Sequence, residues 1–185
     1  MVRAVAVADA VVAIIPPARL KKLPKRKKMR RIMFVCLGNI CRSPMAEYML
    51  KDILKKQGRS AEFYVESSAT SDENVWNGVG SPVYPPAKAK LKSVGISCED
   101  KRAQVLTAKH GDEFDLFICM DDSNVRNARR ILGTKNAHKC VKLLSFVGEE
   151  GSVADPWYTG DFTTTYKDVT AGCSGLLKYL KEKYL

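Results

Sequence analysis

The run CLGNICRSP, residues 36–44, spaces a thiol, a guanidinium and a hydroxyl around a short loop. Gly38 permits a positive φ, and Asn39 tolerates one better than most residues. A loop curled in that way turns successive backbone N–H groups toward one point and forms a nest for an anion. Ser43 suits a helix N-cap and Pro44 the first helical position, so a helix N-terminus adds its partial positive charge there. Arg42 supplies a planar fork of donors matched to two phosphate oxygens. Leu37, Gly38, Asn39, Ile40, Cys41 and Ser43 would thus wrap a tetrahedral oxyanion, with Cys36 beneath it. Such surroundings favour the nucleophilic thiolate. In-line attack on phosphorus would then give a thiophosphate intermediate. Ser43 is placed to donate a hydrogen bond to that sulfur.

Transfer to sulfur leaves an alkoxide or phenoxide that needs a proton, so a carboxyl group must reach the loop from elsewhere. The stretch SVADPWYTGDF, residues 152–162, offers one. Asp155 precedes Pro156, which biases it to an extended backbone at the start of a rigid turn. Trp157 and Tyr158 follow, two rings able to wall a slot for an aryl substrate.

Strand and helix signals alternate from residue 31 onward. RIMFV reads as a strand buried on both faces, and PMAEYMLKDILKKQG as a helix with Met45, Met49 and Ile53 in one stripe. EFYVES is a second strand, YPPAKAKLKSVG a helix with Pro at its start and Gly at its end, and FDLFICM the clearest buried strand. DDSNVRNARRIL is a helix with acids first and arginines last. KCVKLLSF reads as a fourth strand, and residues 163–185 as a long final helix. This order predicts an α/β fold: one three-layer, doubly wound, flavodoxin-like domain over 29–185, with a central parallel sheet of about four strands. Ligands of such sheets bind beyond the carboxyl ends of the strands, where the loop after RIMFV lies.

The net charge of +11 is uneven: residues 1–28 hold eight bases and one acid, leaving +4 for the rest. A nucleic-acid partner is therefore not expected. The apolar stretch Ala4 to Ile15 is too short to span a bilayer and contains Asp9, so stable membrane insertion is not expected. Residues 1–28 fit a disordered basic extension, a membrane-surface anchor or a signal, and we take the first as the expectation. Six cysteines without Cys-x-x-Cys spacing, and only two histidines, argue against a metal site and fit a reducing cytoplasm. Cys119, in an apolar run, reads as buried and inert.

With CLGNICRSP and DPWYTGDF in place, the chain from about Arg30 onward closely resembles the low-molecular-weight protein tyrosine phosphatases, in a bacterial form. SSATS, GSPVYPPAKAKLKSVGI and FDLFICMDDSNVRN also look like that family's intervening segments. The resemblance implies cofactor-free hydrolysis of phosphotyrosine-containing proteins by a monomer or weak dimer. It makes Cys36 the nucleophile, Arg42 the phosphate clamp and Asp155 the general acid, then base. It gives Asn39 a bracing role through its side-chain amide, and Asp121 a mainly structural one at a helix N-terminus. It makes Trp157 and Tyr158 the paired aromatics after the acid, and suggests Trp76 as a further wall of the pocket. Cys41 would be the redox partner of Cys36 in a reversible disulfide.

Rival readings share the scaffold. Arsenate reduction would need a cysteine seven residues beyond Cys119, where Arg126 stands. Arginine phosphatases resemble this family but typically carry Thr where this chain has Ile40, whose apolar side chain better suits a flat phenyl ring. A non-catalytic phosphate-binding module would not need every catalytic position filled.

Overall fold

The computed structural model describes residues 29–184, so the extension expected at 1–28 lies outside the described residues. In chain order the elements are β1 (Arg30–Cys36), α1 (Arg42–Lys56), β2 (Phe63–Ala69), β3 (Val75–Trp76), β4 (Val79–Gly80), α2 (Pro85–Ser93), α3 (His110–Glu113), β5 (Leu116–Cys119), α4 (Asp122–Asn136), β6 (Cys140–Lys142), α5 (Pro156–Thr159) and α6 (Phe162–Tyr184).

The residues of β1 set the layers, because successive side chains in a strand point to opposite faces. Ile32, Phe34 and Cys36 pack with Ala46, Met49, Leu50 and Leu54 of α1 and Val169, Cys173, Leu176 and Leu180 of α6. Met33 and Val35 pack on the other face with Val125, Ala128 and Leu132 of α4. A run of apolar residues is needed where both faces are covered, which is why RIMFV shows no polar alternation. The sulfur of Cys36 therefore emerges on the α1 side of the sheet.

The four strands of the main sheet are ordered β2-β1-β5-β6 and all run parallel. This is the flavodoxin-like order. β1 is flanked by β2 on one side and β5 on the other, so the order reverses at its edge and opens a crevice beyond its carboxyl end. Residues 37–41 fill that place. A third cluster, with Met45 and Tyr48 from α1 and Ala87 and Leu91 from α2, seats α2 against the outside of α1.

Several boundaries differ from the sequence expectation. KCVKLLSF holds a strand of only three residues, because the chain turns into a 3-10 segment at Leu144–Val147. Leu143 and Leu144 there pack into the α1–α6 core instead of extending the ladder. α4 breaks its helical geometry at Gly133 (φ 73, ψ 169), next to the Leu132 end expected from sequence. The β3–β4 hairpin and the short helices α3 and α5 had no periodicity to announce them.

Candidate active site

Loop 37–41 is held by its carbonyls. Those of Cys36, Leu37 and Ile40 accept from the backbone N–H groups of Thr70, Ser71 and Tyr84 at 2.9, 3.0 and 2.9 Å. The carbonyl of Gly38 accepts from the side-chain amide of Asn74 at 3.1 Å. Since each peptide is planar and trans, pulling the carbonyls outward turns the N–H groups inward, as an anion nest requires. Asn39 takes the left-handed conformation, φ 55, as its residue type allows. Gly38 does not, contrary to expectation, and is needed instead for space. A Cβ there would stand 2.5 Å from Nδ2 of Asn74, the atom that ties the loop.

α1 starts two residues earlier than expected. Cys41 is its N-cap, with no side-chain capping bond, and Arg42 and Ser43 lie in the first turn. Ser43 is thereby freed from capping and lies under the sulfur, its Oγ 3.0 Å from Sγ of Cys36. Asn39 Nδ2 donates to that Oγ at 2.9 Å, so the hydroxyl proton is left to point at sulfur. The Asn39 backbone N–H also donates to Sγ, at 3.3 Å. Both donors suit a thiolate.

The brace continues inward through residues that sequence reading did not single out. Asn39 Nδ2 also donates to Ser67 Oγ at 2.8 Å, Asn39 Oδ1 accepts from the Gln104 backbone N–H at 3.0 Å, and Ser67 Oγ donates to Glu47 Oε2 at 2.6 Å. Lys101 Nζ lies 3.1 Å from Glu47 Oε2 and donates to the Ser67 carbonyl at 2.9 Å. Glu47 and Lys101 are both buried, an ion pair in the interior beside the loop. Glu47 lies four residues beyond Ser43 on α1, a spacing that places the two on one helix face and was the available signal.

Arg42, 5% exposed, is aimed by two carboxylates. Its Nη1 lies 2.7 Å from Asp121 Oδ2 and its Nη2 2.5 Å from Asp155 Oδ2. Asp121 is the N-cap of α4, accepting from the Asn124 N–H at 2.7 Å. Burial pushes its carboxyl up, but hydrogen bonds from Ser123, Asn124 and Arg42 outweigh this and hold it below the ordinary range. Asp155 caps α5 by accepting from the Trp157 N–H at 3.1 Å, on the extended backbone its Pro neighbour favours.

Cys36, Arg42, Asp155 and the loop from Leu37 to Cys41 line one cavity of about 260 Å³. Trp157 and Tyr158 complete it on one side, Glu73 and Asn74 elsewhere. Both aromatics are exposed, and the Trp157 ring leans on Tyr84 at 5.3 Å between centroids. Trp76 is not brought to the cavity: it projects from the β3–β4 hairpin, 75% exposed. The Asn77-Gly78 turn, with positive φ at both residues, carries it away, and Glu73 and Asn74 stand at the wall. Cys41 is buried as a free thiol beside the site. Burial, then the negative charges of Cys36 and Asp155, push it up to about 12 against a smaller pull from Arg42, so it stays a neutral thiol.

Among the described residues no cluster of His, Cys, Asp and Glu is arranged to hold a metal ion. No helix among them is long and apolar enough to cross a membrane.

Comparison with known proteins gives one predominant direction, although solved structures of arginine phosphatases at 26% identity share the fold. Residues 31–184 match the family model for low molecular weight phosphotyrosine protein phosphatase. The low molecular weight protein-tyrosine-phosphatase YfkJ of Bacillus subtilis is 35% identical over 160 residues, covering 85% of this chain and all of that protein. The low molecular weight phosphotyrosine protein phosphatase of Sus scrofa is 34% identical over 157 residues, covering 82% and 96%. The crystal structure of YfkJ superimposes with a TM-score of 0.80 at 32% identity, over 86% of this chain and 99% of that one.

Proposed function

The chain belongs to the low molecular weight phosphotyrosine protein phosphatase family, a cysteine-dependent class of hydrolase, and from that premise we propose that Cys36, Arg42 and Asp155 carry its hydrolysis of protein phosphotyrosine. The supporting observation is the meeting of two separate chain segments, the 36–43 loop and the Asp155 turn, at one cavity floor. The sulfur has its Ser43 donor at 3.0 Å, and the guanidinium and the Asp155 carboxyl stand together at 2.5 Å.

The phosphoryl group binds against the loop N–H groups, the helix N-terminus and Arg42, and the phenyl ring passes between Trp157, Tyr158 and the apolar face of Ile40. Sγ of Cys36 attacks phosphorus in line as the bond to the phenolic oxygen breaks. The Asp155 carboxyl gives its proton to that oxygen, so tyrosine leaves neutral. As carboxylate, Asp155 then takes a proton from water, whose oxygen attacks the cysteinyl-phosphate. Inorganic phosphate leaves, and the Ser43 hydroxyl stabilises the departing thiolate. Every charge developed on phosphorus faces donors already in place, the arrangement that lowers a transition state most.

Cys41 serves as redox partner: peroxide converts Cys36 to a sulfenic acid, and the Cys41 thiol displaces water from it to give a disulfide that external thiol reduces. The substrates are phosphotyrosine-containing proteins of the cytoplasm, met by a monomer or weak dimer that needs no cofactor. Turnover of a phosphotyrosine peptide by purified protein, lost in Cys36→Ser, tests the reading; undiminished turnover in that variant would refute it.

A further inference from the structure

We infer that Glu73 is a specificity-determining residue that makes the site prefer phosphotyrosine flanked by a basic side chain, an inference that rests on the phosphotyrosine reading above. Glu73 lines the same cavity as Trp157 and Tyr158. Its carboxylate lies against the phosphate loop, since a Cβ on Gly38 would stand 2.9 Å from its Oε1. The segment that carries it is tied down: the Ser71 N–H bonds the Leu37 carbonyl at 3.0 Å, Asn74 Nδ2 the Gly38 carbonyl at 3.1 Å, and the Val75 N–H the Asp72 carbonyl at 2.8 Å.

A carboxylate in the wall of a dianion site opposes the ligand that the site admits. No cation among the described residues relieves it. Arg42, the cavity's own cation, is engaged by Asp121 and Asp155, and among the described residues Glu73 forms no ion pair. Trp76, the aromatic expected at this wall, projects into solvent on the hairpin, so a charge stands where a ring would be indifferent to the substrate's charge.

The ring of a bound phosphotyrosine runs down the cavity, leaving the neighbouring residues of its peptide at the mouth. An arginine or lysine there cancels the repulsion and pairs with Glu73. An aspartate or glutamate there adds a second repulsion, which excludes the wrong partner. Because Glu73 is exposed, the pair is of the screened, rim type, and the preference of basic over neutral flanks is roughly 1.5- to fivefold in kcat/KM.

The test compares kcat/KM for three phosphotyrosine peptides that differ only in carrying Arg, Ala or Glu beside the phosphotyrosine. Wild type is expected to rank them Arg, Ala, Glu, with the spread shrinking at high salt. Glu73→Gln should flatten the ranking and Glu73→Lys invert it. A merely structural role would lower all three peptides alike and leave their ratios unmoved. Equal turnover of the three by wild type, or an unchanged ranking in Glu73→Lys, overturns the inference while the phosphotyrosine reading stands. Turnover of none overturns that reading, and the inference with it.

Discussion

The hydroxyl of Ser43 lies 3.0 Å from the sulfur of Cys36, and its proton is directed there because Asn39 already donates into the same oxygen. The bond favours sulfur most when it is anionic, so in the proposed mechanism it would assist both the attacking and the leaving thiolate. Ser43→Ala should lower kcat by about tenfold to a hundredfold, the range for loss of one hydrogen bond to a charged group. Pre-steady-state kinetics should show the loss at dephosphorylation, as a larger burst of the first product followed by slower turnover. Unchanged kcat would refute the role.

Asp155 is held at Arg42 with its carboxyl in the cavity, where a leaving oxygen would arrive. Asp155→Ala should therefore lower kcat by about a hundredfold to ten-thousandfold for phenyl phosphate. The loss should be smaller for p-nitrophenyl phosphate, whose leaving group needs less protonation. A leaving-group series measured on both proteins gives the check; parallel plots for the two would rule Asp155 out as the acid.

Behind the loop, Glu47 and Lys101 are paired in the interior at 3.1 Å. Lys101→Met leaves the Glu47 carboxylate buried with its partner Lys51 at the protein surface only. Because Glu47 keeps Lys51 and Ser67 as partners, the expected loss of stability is about 1–3 kcal/mol, read as a lower urea midpoint at unchanged slope. Because Glu47 holds Ser67 and Ser67 holds Asn39, activity at temperatures where the variant remains folded should fall as well. A midpoint equal to wild type would contradict the brace.

Five buried thiols give the protein a pH-dependent stability. Burial pushes Cys41 and Cys140 up to about 12, and pushes Cys98, Cys119 and Cys173 up as well, from an ordinary value of 9.0. The folded chain thus holds protons that the unfolded chain releases. The stabilisation is fully present below pH 9 and is lost as pH rises from there toward the folded-state values. Each thiol contributes about 1.4 kcal/mol per pH unit in that window. Urea midpoints under reducing conditions should therefore drop between pH 8 and pH 10; a flat profile would contradict this.

Most of the candidate site's geometry was legible because it is local. Cys36, Arg42 and Ser43 share one loop, and the strand and helix that flank it announce themselves by buried runs and a helical stripe. Asp155 was legible through its Pro neighbour and following aromatics. The inner brace behind Asn39 was less legible: the four-residue spacing of Ser43 and Glu47 was its one signal, Ser67 and Lys101 come from other segments, and a buried charge cannot be told from a surface one on a half-polar helix face. Trp76 misled for a similar reason. Its residue type suggested a pocket wall, whereas the Asn77-Gly78 turn projects it outward and leaves the wall to Glu73 and Asn74. Ser43 was expected as a cap because its type favours caps, but the loop lets Cys41 take that place and keeps the hydroxyl for sulfur.

The most direct measurement is the covalent intermediate itself. Wild-type and Asp155→Ala proteins are mixed with p-nitrophenyl phosphate, quenched in acid within milliseconds, digested and examined by mass spectrometry. The expected result is a single phosphoryl group on the peptide that contains Cys36, absent from Cys36→Ser protein. Rapid turnover with that peptide unmodified and the phosphoryl group on another residue, or on none, would contradict the assignment of Cys36 as nucleophile.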